Sequence, residues 1–366
     1  MTTAMRPGPA PADAGQAMMQ AIVQRRYGTA PEDVLRLEQT ARPAVKADEV
    51  LVRVRAASVD RGTWHLMAGL PYLMRIIGFG LRGPKTPVPG EAVAGTVEAV
   101  GQDVTGLEPG DEVFGTSHGS FAEYATAQAC HLAPKPGRLT FEQAAAVPVS
   151  AAAALQAVRD HARVRPGQHV LVIGASGGVG TFAVQLAKAF GAEVTGVAST
   201  AKTDLVRAVG ADHVLDYTRE DPVSGRRRYD VIIDIGGNRR LAHLRRALAP
   251  QGTLVITGGE DGGRWLGGIG RNARAQLLSP FVSQKLTAFI ARQRHADLMT
   301  LRDLAGSGVI TPAIDRVDPL SQAAAAVRHL ADGRARGKVV ISLDGPDHRA
   351  NESDDLPIGT CSVNWP

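Results

Sequence analysis

The chain carries only two cysteines, Cys130 and Cys361, in 366 residues. That excludes a disulfide framework or a metal-binding cluster of thiols and fits a reducing cytoplasm. No apolar run approaches the roughly 20 residues needed to span a bilayer, and the alanine-rich stretch 144–154 is too short. The first residues, 1 to about 16, have no apolar secretory core; rich in Pro, Ala and Gly, they read as a flexible tail. A soluble cytoplasmic protein without a membrane partner is expected. Nor is there a strong excess of one charge: 41 Lys and Arg face 36 Asp and Glu, a formal net charge of +5. The basic clusters, 226–228 and Arg239, Arg240, Arg245 and Arg246, have no interleaved aromatics, so they permit nucleic acid without implying it. Solvated faces explain them better, with a place near an anionic cofactor as the second reading.

What is present is enough apolar material for large cores, 44% hydrophobic against 21% charged residues, in a chain long enough for two domains. Residues 19–141 show short β-prone runs, among them 50–56, 93–100 and 111–114, separated by Gly, Pro and Asp. Pro109-Gly110-Asp111 marks a hairpin corner. After Pro136-Gly137 an alanine-rich helical segment is expected through Arg159. Nearly continuous apolar runs then follow at 169–173, 193–198, 229–234 and 253–257, alternating with helical stretches. That alternation predicts a doubly wound parallel sheet over 142–310. A further strand at 285–290, a helix around 295–304 and a terminal strand at 338–343 are expected, with 311–343 returning to the first domain. Tails are expected at 1–18 and 344–366.

The strongest motif runs from His169 through Gly174-Ala-Ser-Gly-Gly-Val-Gly180, a buried-type strand entering a glycine cluster and then a helix stopped at Gly191. Gly177, Gly178 and Gly180, with Ser176 and Val179 between and beside them, offer the backbone clearance and helix N-terminus that a dinucleotide pyrophosphate requires. At the end of the next strand an NAD site usually carries an acidic residue. This chain has Ser199, Thr200 and Lys202 there. These can donate to and offset a 2′-phosphate, which predicts NADPH; as an alternative, Ser199 and Thr200 cap the next helix.

With these residues in hand, the sequence resembles the medium-chain dehydrogenase/reductase superfamily, in its zinc-independent quinone oxidoreductase and enoyl reductase branch. The likeness spans about 19–343. It rests on the stretch from Asp48 to Ser58, on Pro89-Gly-Glu-Ala-Val-Ala-Gly-Thr-Val-Glu-Ala-Val-Gly101, Pro109-Gly-Asp-Glu-Val-Phe-Gly115, the glycine turn, Gly210-Ala-Asp-His-Val-Leu-Asp-Tyr217 and Arg336-Gly-Lys-Val-Val340. The resemblance implies an α/β chain in which a GroES-like β-barrel catalytic domain joins a Rossmann domain, with the active site in the cleft between them. It further implies that Ser199, Thr200, Lys202 and Tyr217 form the 2′-phosphate pocket. Asp234, Gly236 and Gly237, with Thr257, Gly258 and Gly259, would be strand ends beside the cofactor, and Lys338 a cofactor contact from the last strand. Tyr217 as a surface aromatic and Lys338 as a solvated strand-edge lysine stay open. A homodimer through the edge strand at 285–290 is a further expectation of the family.

Zinc-containing relatives have a Cys where this chain has Asp60, a His-Glu pair where it has Glu91-Ala92, and a four-Cys lobe that it lacks. Asp60, His65 and Glu91 can in principle donate to a metal, but they are not the matched ligands of a catalytic zinc site. Lining a polar cleft, or pairing with Arg61 and other basic residues, is the expectation for Asp60 and Glu91. His118 and His131 read as ordinary barrel residues. Quinone reductases commonly have Asn-Pro at Asp60-Arg61, which leaves the substrate open. Tyr72 is the candidate hydrogen-bond donor to a carbonyl oxygen, with packing beside Leu70 and Leu73 as its alternative, and Asp60 is the candidate group orienting a donor or water. Three functions follow: an NADPH-dependent reductase of quinones or activated alkenes, a zinc-independent alcohol or carbonyl oxidoreductase, and a non-enzymatic NADPH- or RNA-binding protein.

Overall fold

The computed structural model describes residues 17–225, 227–259 and 263–344. The two expected tails fall almost wholly outside these residues, as do Arg226 and Cys361. The chain opens with an antiparallel ribbon of β1 (Met18–Gln24) and β2 (Leu35–Ala41). An antiparallel set follows: β3 (Glu49–Val59), β4 (Ala92–Val100), β5 (Glu112–Thr116), β6 (Tyr124–Gln128) and β7 (Leu132–Pro134). Val50, Val52 and Val54 on one face of β3 are buried, as period-two alternation requires. Gly110 makes the expected corner at φ +100, and β4 meets β5 with Thr96 opposite Glu112.

The second sheet holds β8 (His169–Ile173), β9 (Glu193–Ala198), β10 (His213–Asp216), β11 (Tyr229–Asp234), β12 (Leu248–Ile256) and β13 (Lys285–Ala288). All neighbours are parallel, in the order β10-β9-β8-β11-β12-β13. The order reverses between β8 and β11, where ligands bind outside the carboxyl ends of such sheets. β12 begins five residues before the expected 253. Its register with β11 jumps from Tyr229↔Leu248 to Val231↔Thr253, so Pro250-Gln251-Gly252 bulges out of the ladder. β14 (Ile314–Pro319) and β15 (Lys338–Ser342) return to the first sheet, β15 lying antiparallel to β3.

One expectation needs correction. The alanine-rich segment is not a single helix through Arg159: Phe141–Ala145 and Pro148–Leu155 are separate helices. Pro148 has no N–H to continue the first and suits the opening turn of the second. Thr140 and Gln143 close a capping box on the first helix. The backbone then continues as a π-helix, Gln156–Ala162, ending at Arg163 in the left-handed region. Because most side chains here are methyl groups, the helices sit close to both sheets. Ala56, Ala94 and Phe114 of the first sheet, Ala151, Ala154 and Leu155, and Val170 and Val172 of the second form one continuous core.

Candidate active site

Each glycine of the 174–180 turn has a different duty. Gly174 adopts φ +86, a conformation that L side chains disfavour. A Cβ at Gly180 would lie 2.1 Å from the Gly174 carbonyl oxygen, so this glycine lets the helix Gly178–Ala189 pack onto the turn. A Cβ at Gly178 would meet Lys338 Cδ at 2.9 Å. Gly177 is the open one: the nearest atom facing a Cβ there is the Gly174 oxygen at 3.6 Å. The helix ladder begins with Thr181 N–H donating to Gly177 O, 3.0 Å. The amides of Gly178, Val179 and Gly180 at the N-terminus precede it, free to meet an anion. Ser176 is buried, and its carbonyl accepts the Gly337 N–H at 2.8 Å, tying the turn to the segment before β15.

At the end of β9, Ser199 and Thr200 open the turn Thr200–Lys202, and neither Ser199 there nor Lys202 at the next helix provides a side-chain cap. Thr200 Oγ1 donates instead to Asp216, which also accepts the Thr218 N–H at 2.9 Å. Lys202 Nζ donates to the carbonyls of Gly333 (2.6 Å) and Ala335 (2.7 Å), and burial holds its pKa below the usual lysine value. Tyr217 is exposed beside them. The group offers the Lys202 cation to a phosphate, whereas the Asp216 carboxylate beside Thr200 suits a ribose hydroxyl and repels a phosphate, so the strand end is not free of acidic residues as the sequence suggested.

Asp234, at the end of β11, is fully buried, accepts the Gly237 N–H at 3.1 Å and is ion-paired with Arg271. Gly236 N–H donates to Ile173 O at 3.3 Å, while Gly258 and Gly259 allow backbone approaches to Ile235 and Gly268 that a Cβ would block. Four polar atoms here, Thr257 Oγ1, Arg271 Nε and Nη1 and Asn272 Oδ1, are buried without a hydrogen-bonding partner among the described residues. Buried polar groups are normally paired, and these stand by the sheet's ligand-binding end, so the residues fit a polar nucleotide. The sequence reading missed Arg271; no spacing signal marks it.

Asp60 pairs with a basic residue, as one reading expected, but that residue is Lys338 rather than Arg61. Arg61 donates to the carbonyls of Leu330 (3.3 Å) and Ala331 (3.4 Å). Asp60 precedes the helix Arg61–Ala68, yet its carboxylate caps nothing and turns inward. It accepts from Lys338 Nζ and from Ser150 Oγ at 2.9 Å, with Ser58 Oγ at 3.4 Å. Lys338 is 1% exposed, lying between β14 and β3, which overturns its reading as a solvated edge lysine. Ser150, also missed, donates here from the alanine-rich helix. Zinc does not suit this donor set: Asp60 is committed to Lys338, and His65 Nδ1 lies 3.2 Å from Leu70 O. Among the described residues no three His, Cys, Asp or Glu side chains gather as a metal site.

A cavity of about 360 Å³ opens against the helix Arg61–Ala68, lined among others by Thr63, Leu66, Glu91, Ser117, His118, His131 and Gln293. His118 and His131, read as ordinary barrel residues, both line this cavity. Burial, followed by the charge of His118, lowers the pKa of His131. Gly90, at φ +97, aims Glu91 into this space, and Gln293 Nε2 reaches across from beyond β13 to Glu91 Oε1, 3.1 Å. Glu91 is accessible from the cavity yet enclosed by its walls. That enclosure, and then the negative charge of Asp60, raise its carboxyl pKa against the opposing effect of Gln293. Tyr72 is not among the lining residues; its ring meets Trp265 edge-on at 5.5 Å, with Arg75 4.8 Å from its centre.

Two family models match the chain: an alcohol dehydrogenase GroES-like domain at residues 46–137 and a zinc-binding dehydrogenase at 209–341. A 2-methylene-furan-3-one reductase of Solanum lycopersicum is 33% identical, covering 88% of this chain and 79% of its own. A quinone oxidoreductase of Sus scrofa is 30% identical over 90% and 99% of the two chains. The solved quinone oxidoreductase from Coxiella burnetii superposes with a TM-score of 0.78 at 26% identity, covering 90% of this chain and all of that one.

Proposed function

From the premise that this chain belongs to the medium-chain dehydrogenase/reductase superfamily, with its GroES-like domain and Rossmann sheet, we propose that it is an NADPH-dependent reductase of quinones or α,β-unsaturated carbonyls working without zinc. It is an oxidoreductase using a nicotinamide cofactor; the phosphate, the substrate class and the metal independence are our reading. The observation that carries it is the commitment of Asp60 to Lys338 and Ser150 directly beside the phosphate-turn glycine Gly178. A carboxylate so neutralised is a structural clamp under the cofactor turn rather than a Lewis-acid ligand.

The bound cofactor supplies a hydride. Gly177 leaves room for its pyrophosphate, the amides of Gly178, Val179 and Gly180 face the negative charge, and Lys202 and Ser199 meet the 2′-phosphate once Thr200 turns its hydroxyl from Asp216 towards it, with Tyr217 alongside. Asp234, through Arg271, positions the polar atoms at the ends of β11 and β12. Electron-poor acceptors gather negative charge on an oxygen that hydrogen-bond donors stabilise; Tyr72 is one candidate donor. A homodimer through β13 completes the reading, supported by exposed Phe281 and Ile290 beside that outermost strand. The test is NADPH oxidation by the purified protein against a panel of quinones, enones and aldehydes, with metal analysis. Turnover of quinones or enones by zinc-free protein is expected; turnover of none of them rejects the reading.

A further inference from the structure

We propose that Glu91 is the proton donor for reduction of an unsaturated carbonyl, delivering from the cavity wall the proton that balances the hydride. The inference rests on the reductase reading above. Two carboxyl groups border this region, and the structure gives them opposite situations. Asp60 is buried, its oxygens are taken up by the Lys338 ammonium and two hydroxyl groups, and it is not among the residues lining the cavity. Glu91 opens into the 360 Å³ cavity, where among the described residues its side chain accepts from the neutral amide of Gln293.

The surroundings favour the acid form. Sharing the cavity with Glu91 are Gln293 from beyond β13, Thr63 from the helix Arg61–Ala68, Ser117 and His118 after β5, and His131 before β7, while Asp60, just past the end of β3, acts on Glu91 through its charge. The exposed Lys85 also belongs to the lining. Enclosure and the Asp60 charge both oppose ionisation of Glu91, and His131 is itself biased towards its neutral form. Gln293 donates to Oε1, which makes that oxygen the carbonyl of the acid and leaves Oε2 to carry the proton.

The step balances. A hydride from the reduced nicotinamide adds to the β-carbon, and the alkene electron pair shifts so that charge appears on the carbonyl oxygen. The Glu91 Oε2–H bond breaks and its proton passes to that oxygen. The cofactor leaves oxidised, the enol tautomerises in water, and water returns a proton to Glu91. A general acid placed in this way contributes on the order of 10²–10⁴ in rate.

Steady-state kinetics of wild type, Glu91→Gln and Glu91→Asp, from mildly acidic to alkaline pH with NADPH and an enone, provide the test. The wild-type kcat should fall as pH rises past the elevated Glu91 pKa, because the acid form is lost. Glu91→Gln should lower kcat about 100-fold or more, abolish that limb and leave the NADPH Kd unchanged, and Glu91→Asp should restore part of the rate. In infrared difference spectra recorded as pH is raised, a protonated-carboxyl stretch should persist above the usual carboxylate range in wild type and be missing from Glu91→Gln. Missing that band in the wild type, or retaining kcat and its limb in Glu91→Gln, overturns the role of Glu91 even where reductase activity stands. Wild type that reduces no acceptor overturns the reductase reading, and this role with it, even where the band is present.

Discussion

At the residue scale the sharpest consequence of the site is that Lys338 and Asp60 cannot be removed singly without cost. Taking away one member of a buried ion pair leaves an uncompensated charge, typically about 3–5 kcal/mol of destabilisation. Lys338→Met should therefore lose roughly that much in urea unfolding, while Lys338→Met with Asp60→Asn should recover a good part of it. Glu91 behaves oppositely. Its folded-state pKa lies above the unfolded value, so between the two the native protein holds more protons. Stability then declines as pH rises through that window. Thermal melts of Glu91→Gln should match wild type at acidic pH, below the unfolded carboxyl pKa, and exceed it near neutrality.

Between elements, the glycine turn separates ligand clearance from packing. Gly177→Ala places its methyl in the open space near the Gly174 oxygen, 3.6 Å away, whereas Gly180→Ala drives one to within 2.1 Å of that oxygen. Gly177→Ala should keep its melting temperature and lose nucleotide affinity about 10-fold or more, read by fluorescence titration; Gly180→Ala should melt early. Lys202→Ala should weaken NADPH by about 10-fold, the scale of a charged hydrogen bond, and NADH little. Much of this level was legible in the sequence: β8, β9 and β11 have the expected bounds because a strand buried on both faces is apolar throughout. β2, Leu35–Ala41, was not singled out because Arg36, Glu38 and Gln39 sit among its residues in a ribbon with exposed positions. The Asp60–Lys338 clamp was not legible at all, since 278 residues separate its partners. Glu91 was visible as a carboxyl after a Pro-Gly, but its enclosure depends on Gln293, far along the chain.

At the scale of the molecule, β13 is the outermost strand of its sheet with an edge unpaired among the described residues, flanked by Phe281 and Ile290, each 83% exposed. Edges of this kind invite pairing with another chain. Wild type should elute as a dimer in size-exclusion chromatography with light scattering, and Phe281→Asp with Ile290→Asp should shift it towards monomer. The return of β15 to β3 also governs when the protein can exist. Everything in the first sheet except β14 and β15 is encoded before residue 135, yet β3 waits for 338–342 to cover its remaining edge. At a ribosomal pace of about 5–20 residues per second, that wait is roughly 14–56 s. During it the nascent chain bears an open strand edge and an Asp60 carboxylate lacking its counter-ion, a state in which a chaperone, a protease or a neighbouring ribosome's product can reach it first.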